Sequence, residues 1–126
     1  MDTHSELFKA VQVYFDSLYY CDTQKLNSVF HKTSSLFDAD EGKLFVEAIT
    51  SFSDDVGGRT SPASKGQERE DEILMVDWLS PISAVVKIRL RAHQKVFIDH
   101  LNFVKGEDGW KIVAKVWHLE KVVEMT

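Results

Sequence analysis

The sequence has one cysteine, two prolines and six glycines among 126 residues, and each shortage excludes something. A single thiol, Cys21, rules out a disulfide framework and a cysteine-ligated zinc site. No apolar run approaches the roughly 20 residues of a membrane-spanning helix. The start of the chain, Met1 to Glu6, lacks the basic residues and apolar stretch of a signal peptide, so a cytoplasmic location is expected. Basic charge is scarce as well: 15 Lys and Arg stand against 20 Asp and Glu, a net charge of −5. Phosphate contacts dominate nucleic-acid affinity, and this balance opposes them. No nucleic acid and no membrane is expected as a partner. Histidines never fall at HxxxH-type spacing, so no metal is expected, and no motif calls for a cofactor.

What is present is a residue budget for one folded domain over 1–126, with 44% hydrophobic and 28% charged residues. Thr3-His4-Ser5-Glu6 has the form of a capping box, with Thr3 as N-cap. Leu7, Val11, Tyr14 and Leu18 follow at helical spacing, widened by Phe8, Phe15 and Tyr19. Asp22 can cap a short second helix facing inward through Leu26, Val29 and Phe30. Residues 34–38 and 43–48 read as a small hairpin about Asp40-Glu41-Gly42. A third helix begins near Thr50 or Ser51 and ends at Gly57-Gly58. Residues 57–67, with three glycines and a proline, read as a mobile loop able to close over a site.

Strands over 70–78 and 83–91, then a hairpin over 95–118 with its turn at Gly106 to Gly109, complete the chain. Asp108-Gly109 between alternating runs is a hairpin signal, because glycine accepts the positive φ that the turn needs. Helices first and a strand meander after indicate an α+β architecture with helices on one face of an antiparallel sheet.

Alternation assigns faces. Ala84, Val86, Ile88 and Leu90 point inward, opposite Val85, Lys87, Arg89 and Arg91. Trp110, Ile112, Ala114, Val116 and His118 share the inner face of the last strand. Lys111, Val113, Lys115 and Trp117 share the outer one. That outer face is more apolar than solvent requires, which suits a homodimer contact centred on Trp117, Val113 and Val85.

Asp99 shares a face with Phe97, Leu101 and Phe103. A carboxylate there either pairs with Arg89 or Arg91 on the neighbouring strand or sits in a pocket, where desolvation raises its pKa and fits it for acid/base work. Tyr14, on the inward stripe of the first helix, could aim a phenol at a bound oxygen or serve as a core tyrosine. His118 has inner-face parity and is expected in the pocket. His31 ends the second helix, where an imidazolium suits the dipole. Trp78 could wall the pocket.

The strings Tyr14-Phe15, Asp22-Thr23-Gln24-Lys25-Leu26, Phe30-His31, Phe97-Ile98-Asp99-His100-Leu101, Gly109-Trp110-Lys111-Ile112-Val113 and Lys115-Val116-Trp117-His118, in this order of elements, resemble the nuclear transport factor two-like superfamily. That superfamily is also called the cystatin-like or ketosteroid isomerase-like fold. The ending is most similar to its putative lumazine-binding branch, near the polyketide-cyclase-like proteins. The resemblance implies a cone: three helices packed in a strongly curved, mostly antiparallel sheet with a pocket at the wide end. It also implies a homodimer through the outer sheet face. Where relatives carry Pro-Asp after Phe-His, this chain has Lys32-Thr33-Ser34, which removes a carboxylate near the pocket mouth.

Two functions fit this reading. One is a small-molecule-binding domain whose ligand touches Tyr14, Phe30, His31, Trp78, Asp99, Leu101 and His118. The other is an isomerase- or cyclase-like enzyme moving a proton on a carbonyl-containing molecule, with Asp99 or His118 as acid/base and Tyr14 polarising an oxygen.

Overall fold

A computed structural model describes residues 2–124. The first helix, α1, covers Thr3–Tyr19. Its N-cap is Asp2 rather than Thr3: the Asp2 carboxylate accepts from the Ser5 backbone N–H at 2.8 Å. Aspartate satisfies an orphan donor and also brings negative charge to the positive end of the helix, which a threonine cannot. The helix stops where Cys21 enters the left-handed region, with φ 51°, and the Asp22 N–H reaches back to the Ser17 carbonyl at 2.9 Å. Those are the marks of a Schellman stop. Asp22 then caps α2, Thr23–Val29, accepting from the Lys25 N–H at 3.1 Å. The third helix, α3, is Ile49–Gly57.

The strands are β1 (Phe30–Asp38), β2 (Phe45–Ala48), β3 (Asp71–Ser80), β4 (Ser83–Ala92), β5 (Lys95–Gly106) and β6 (Gly109–Val122). They form one curved, unclosed sheet in the order β2-β1-β6-β5-β4-β3. Every pairing is antiparallel except β1 with β6. Leu7, Val11, Tyr14 and Phe15 of α1 pack with Leu26 and Val29 of α2 and with Ile49, Phe52 and Val56 of α3. Together they cover the concave face, where Val86, Ile88, Leu101, Phe103 and Ile112 meet them.

The inward row of β4 follows plain alternation. Strand β6 does not. Asn102 of β5 pairs with Ala114, but the next residue, Phe103, pairs with Ile112, leaving Val113 as an extra residue. Such a β-bulge transfers every later side chain to the opposite face. Lys115 and Trp117, expected outside, therefore turn inward, opposite Leu101 and Asp99 respectively. Val116 and His118, expected inside, turn outward.

Candidate functional site

The cone is hollow at one end. A cavity of about 500 Å³ opens where the end of α1, helix α3, the 57–67 segment and the β4–β5 turn converge. Its walls are mostly apolar: Leu18 from α1, Phe52 and Val56 from α3, Leu90 from β4, Phe97 from β5 and Trp117 from β6. Asp99 and Lys115 line it as well, and both are almost wholly buried, at 1% and 5% exposure.

Asp99 reaches this place because β5 alternates without interruption between Phe97 and Phe103, and its partner residues are Ile88 and Trp117. Tyr14 comes from the inward stripe of α1 and is fully buried behind it. The Tyr14 hydroxyl donates to Asp99 Oδ2 at 2.5 Å. Lys115 Nζ stands 3.8 Å from the same oxygen, an ion-pair separation beyond hydrogen-bond length. Asp99 Oδ1 is buried with no hydrogen-bond partner among the described residues. The Lys115 ammonium also lies among aromatic rings, 4.5 Å from the centre of Phe52, 5.4 Å from Tyr14 and 5.8 Å from Trp117. Ring faces attract a cation and soften its removal from water.

Burial governs the electrostatics. Desolvation first, and then the neighbouring Asp99 charge, push the Tyr14 phenol well above its ordinary pKa of 10.0. Desolvation lowers Lys115 from 10.5, against the pull of Asp99. A neutral phenol held on a carboxylate, with an ammonium of lowered pKa beside it, can position and exchange protons with a guest.

The residues named from sequence divide sharply. Tyr14 and Asp99 are brought together, and Asp99 faces the cavity. Its partners are Tyr14 and Lys115 rather than Arg89 or Arg91, which pair with Glu72, Glu120 and Glu70. His118 is not in the cavity. The Val113 bulge turns it outward, where Nδ1 lies 2.6 Å from Asp40 Oδ1. Trp117, expected at an outer contact, is a cavity wall for the same reason. Trp78 stands away from the cavity, 4.4 Å from His4 and 5.9 Å from Trp110 between ring centres. Phe30 and Leu101 are core residues outside the lining. His31 is exposed and bonds Thr33 Oγ1 at 2.7 Å.

The sequence reading set Lys115 and Trp117 on the outer face and named neither Phe52 nor Arg59, yet all four line the cavity. One signal was available: a face bearing both lysines and a tryptophan fits neither solvent nor core, and an inserted residue in the strand resolves that mixture.

The sequence matches the family described as putative lumazine-binding over residues 2–118. No protein of curated function matches it. Among solved structures, an NTF2-like protein of unknown function from Shewanella baltica superposes with a TM-score of 0.82 at 20% identity, covering 94% of each chain. An NTF-2-like protein of unknown function from Silicibacter pomeroyi gives 0.76 at 20% identity, covering 92% of this chain and 94% of that one. A ketosteroid isomerase-like protein from Erwinia carotovora atroseptica gives 0.68 at 12% identity, with 93% and 95% covered. At these identities the likeness is one of fold.

Proposed function

The chain belongs to the putative lumazine-binding family, and on that premise we propose that it binds a small organic molecule in the cavity between α3 and the β5–β6 strands. The observation that carries this reading is the pairing of a largely apolar hollow of about 500 Å³ with buried polar groups at Asp99 and Lys115. That volume falls within the range of small-molecule sites, where an apolar wall supplies affinity and a few fixed polar groups supply orientation. A purely structural cone would fill this space with side chains. The test is a thermal-shift screen against pteridines, flavins and polycyclic ketones, on the wild type and on Ala92→Trp, which fills the cavity from its β4 wall. A compound that raises the wild-type melting temperature and leaves the variant unmoved supports the reading. No shift with any compound, or equal shifts in both proteins, overturns it.

A second reading, proton transfer on a carbonyl compound, is favoured by one observation: the Asp99 carboxylate, oriented by Tyr14 at 2.5 Å, lines the cavity beside Lys115. Asp99 would take a proton from the carbon next to the carbonyl, and the Lys115 ammonium would face the enolate oxygen. Deuterium exchange into 2-tetralone, lost in Asp99→Asn, is the corresponding assay.

The proposal includes assembly as a homodimer through the outer sheet face. Val104, Val113 and Val116 are 41%, 39% and 47% exposed there, flanked by Lys111 and Lys87. With Trp117 inside, Val116 takes its place at the centre of the contact. A cytoplasmic location accords with the lone thiol of Cys21. Among the described residues no helix is long and apolar enough to cross a membrane.

A further inference from the structure

Positive charge collects at the cavity, although the chain as a whole is negative. Arg59, Lys95 and Lys115 line it against Glu47 and Asp99, in a protein of net charge −5. Two of these cations share one ring. The Arg59 guanidinium carbon lies 5.4 Å from the centre of Phe52, and Lys115 Nζ lies 4.5 Å from it. Like charges gathered on one aromatic side chain repel, and Arg59 adds to the cost of holding Lys115 protonated. Two carboxylates face these three cations, and each also accepts a hydroxyl hydrogen bond. Asp99 accepts from Tyr14, and Glu47 accepts from Ser51 Oγ at 2.8 Å. Arg59 has no ion pair within 4.0 Å among the described residues.

Resting on the small-molecule reading above, we propose that the molecule bound here is an organic acid, an apolar ring-containing body whose carboxylate lies between Arg59 and Lys115. The body meets Phe97, Val56 and Trp117, and the acid group answers the three cations Arg59, Lys95 and Lys115, which Asp99 and Glu47 leave one charge short of balance. Guanidinium and ammonium donors to a carboxylate make charge-assisted bonds, about twice as strong as neutral ones. Replacing the acid by its uncharged amide keeps shape and apolar area while removing that difference.

The experiment compares 2-naphthoate with 2-naphthamide by calorimetry on the wild type and on Arg59→Gln, an exposed site whose change spares the fold. The expected result is naphthoate binding about tenfold or more tighter than naphthamide, as one charge-assisted contact requires. Arg59→Gln should lose most of that preference, bringing naphthoate affinity down toward that of naphthamide. Naphthoate affinity should also fall as salt rises from 0.05 to 0.5 M, because screening weakens a contact at an open mouth. Naphthamide binding as tightly as naphthoate overturns the acid assignment while the cavity reading stands. Binding of neither compound overturns both. An Arg59→Gln protein that keeps the full preference removes Arg59 from the site and overturns the placement of the carboxylate.

Discussion

Removing both charges of the buried Asp99–Lys115 pair should cost far less than the sum of the two separate removals. The two side chains are 2% and 7% exposed, with Lys115 Nζ 3.8 Å from Asp99 Oδ2. At that separation and an effective dielectric of about 20, their attraction is about 4 kcal/mol. Lys115→Met keeps the stem and deletes the ammonium, leaving Asp99 with Tyr14 alone. Asp99→Asn keeps the shape and leaves the ammonium without its counter-charge. Each single change strands a buried charge and should lower unfolding free energy by about 3–5 kcal/mol. The double variant strands neither, and its loss should fall short of the summed single losses by about 2–4 kcal/mol. Urea unfolding of the four proteins at pH 7, read by circular dichroism, closes the cycle. The coupling should shrink as pH rises, because Lys115 loses its proton below the usual lysine range. Losses that simply add, to within about 0.5 kcal/mol, would refute the pairing as an energetic unit.

Four further outcomes follow from the same geometry. Tyr14→Phe should cost about 1.5–3 kcal/mol, since it strips the buried Asp99 carboxylate of its hydroxyl donor; equal urea midpoints would contradict this. Stability should rise with pH as it climbs from the lowered folded pKa of Lys115 toward 10.5, because the unfolded chain there binds more protons. It should then fall above pH 10.0, where unfolded Tyr14 ionises and folded Tyr14 does not. Difference curves against Lys115→Met and Tyr14→Phe should isolate the rise and the fall respectively, and curves parallel to wild type would refute those assignments. Deleting Val113 should return Lys115 and Trp117 to the outer face and lower the urea midpoint sharply, whereas a deletion variant as stable as wild type would contradict the bulge. Val116→Glu should turn a dimer into a monomer in light scattering at tens of micromolar, and a monomeric wild type or a dimeric variant would end the outer-face proposal.

Legibility in the sequence followed the range of the interactions. The α1 stripe, the Asp22 cap and the inward row of β4 depend on spacings of two to four residues, so periodicity exposes them. The inward placement of Asp99 rests on plain alternation within β5, and it too could be read. The start of α1 slid by one residue because Asp2 and Thr3 are both capable caps and only the position of the Ser5 N–H chooses between them. The bulge could not be read in the same way. Val113 is β-branched, like many regular strand residues, and carries no glycine marker, so its role appears only in the pairing of Asn102 and Phe103 with β6. That single inserted residue displaced His118 from the cavity and Trp117 from the outer face, and it delivered the buried lysine. Phe52 and Arg59 were missed for another reason. They reach the cavity by packing of α3 against the sheet, a long-range relation with no local pattern.

The central claim is that this end of the cone receives a small molecule, and the indole N–H signals of a nitrogen-15 correlation spectrum test it most directly. The protein has three tryptophans. Trp117 walls the cavity, while Trp78 and Trp110 meet edge to face outside it, with ring centres 5.9 Å apart. Titration with 2-naphthoate should move the Trp117 signal progressively to saturation and leave the other two in place. A spectrum in which Trp78 or Trp110 moves while Trp117 stays fixed would contradict the account.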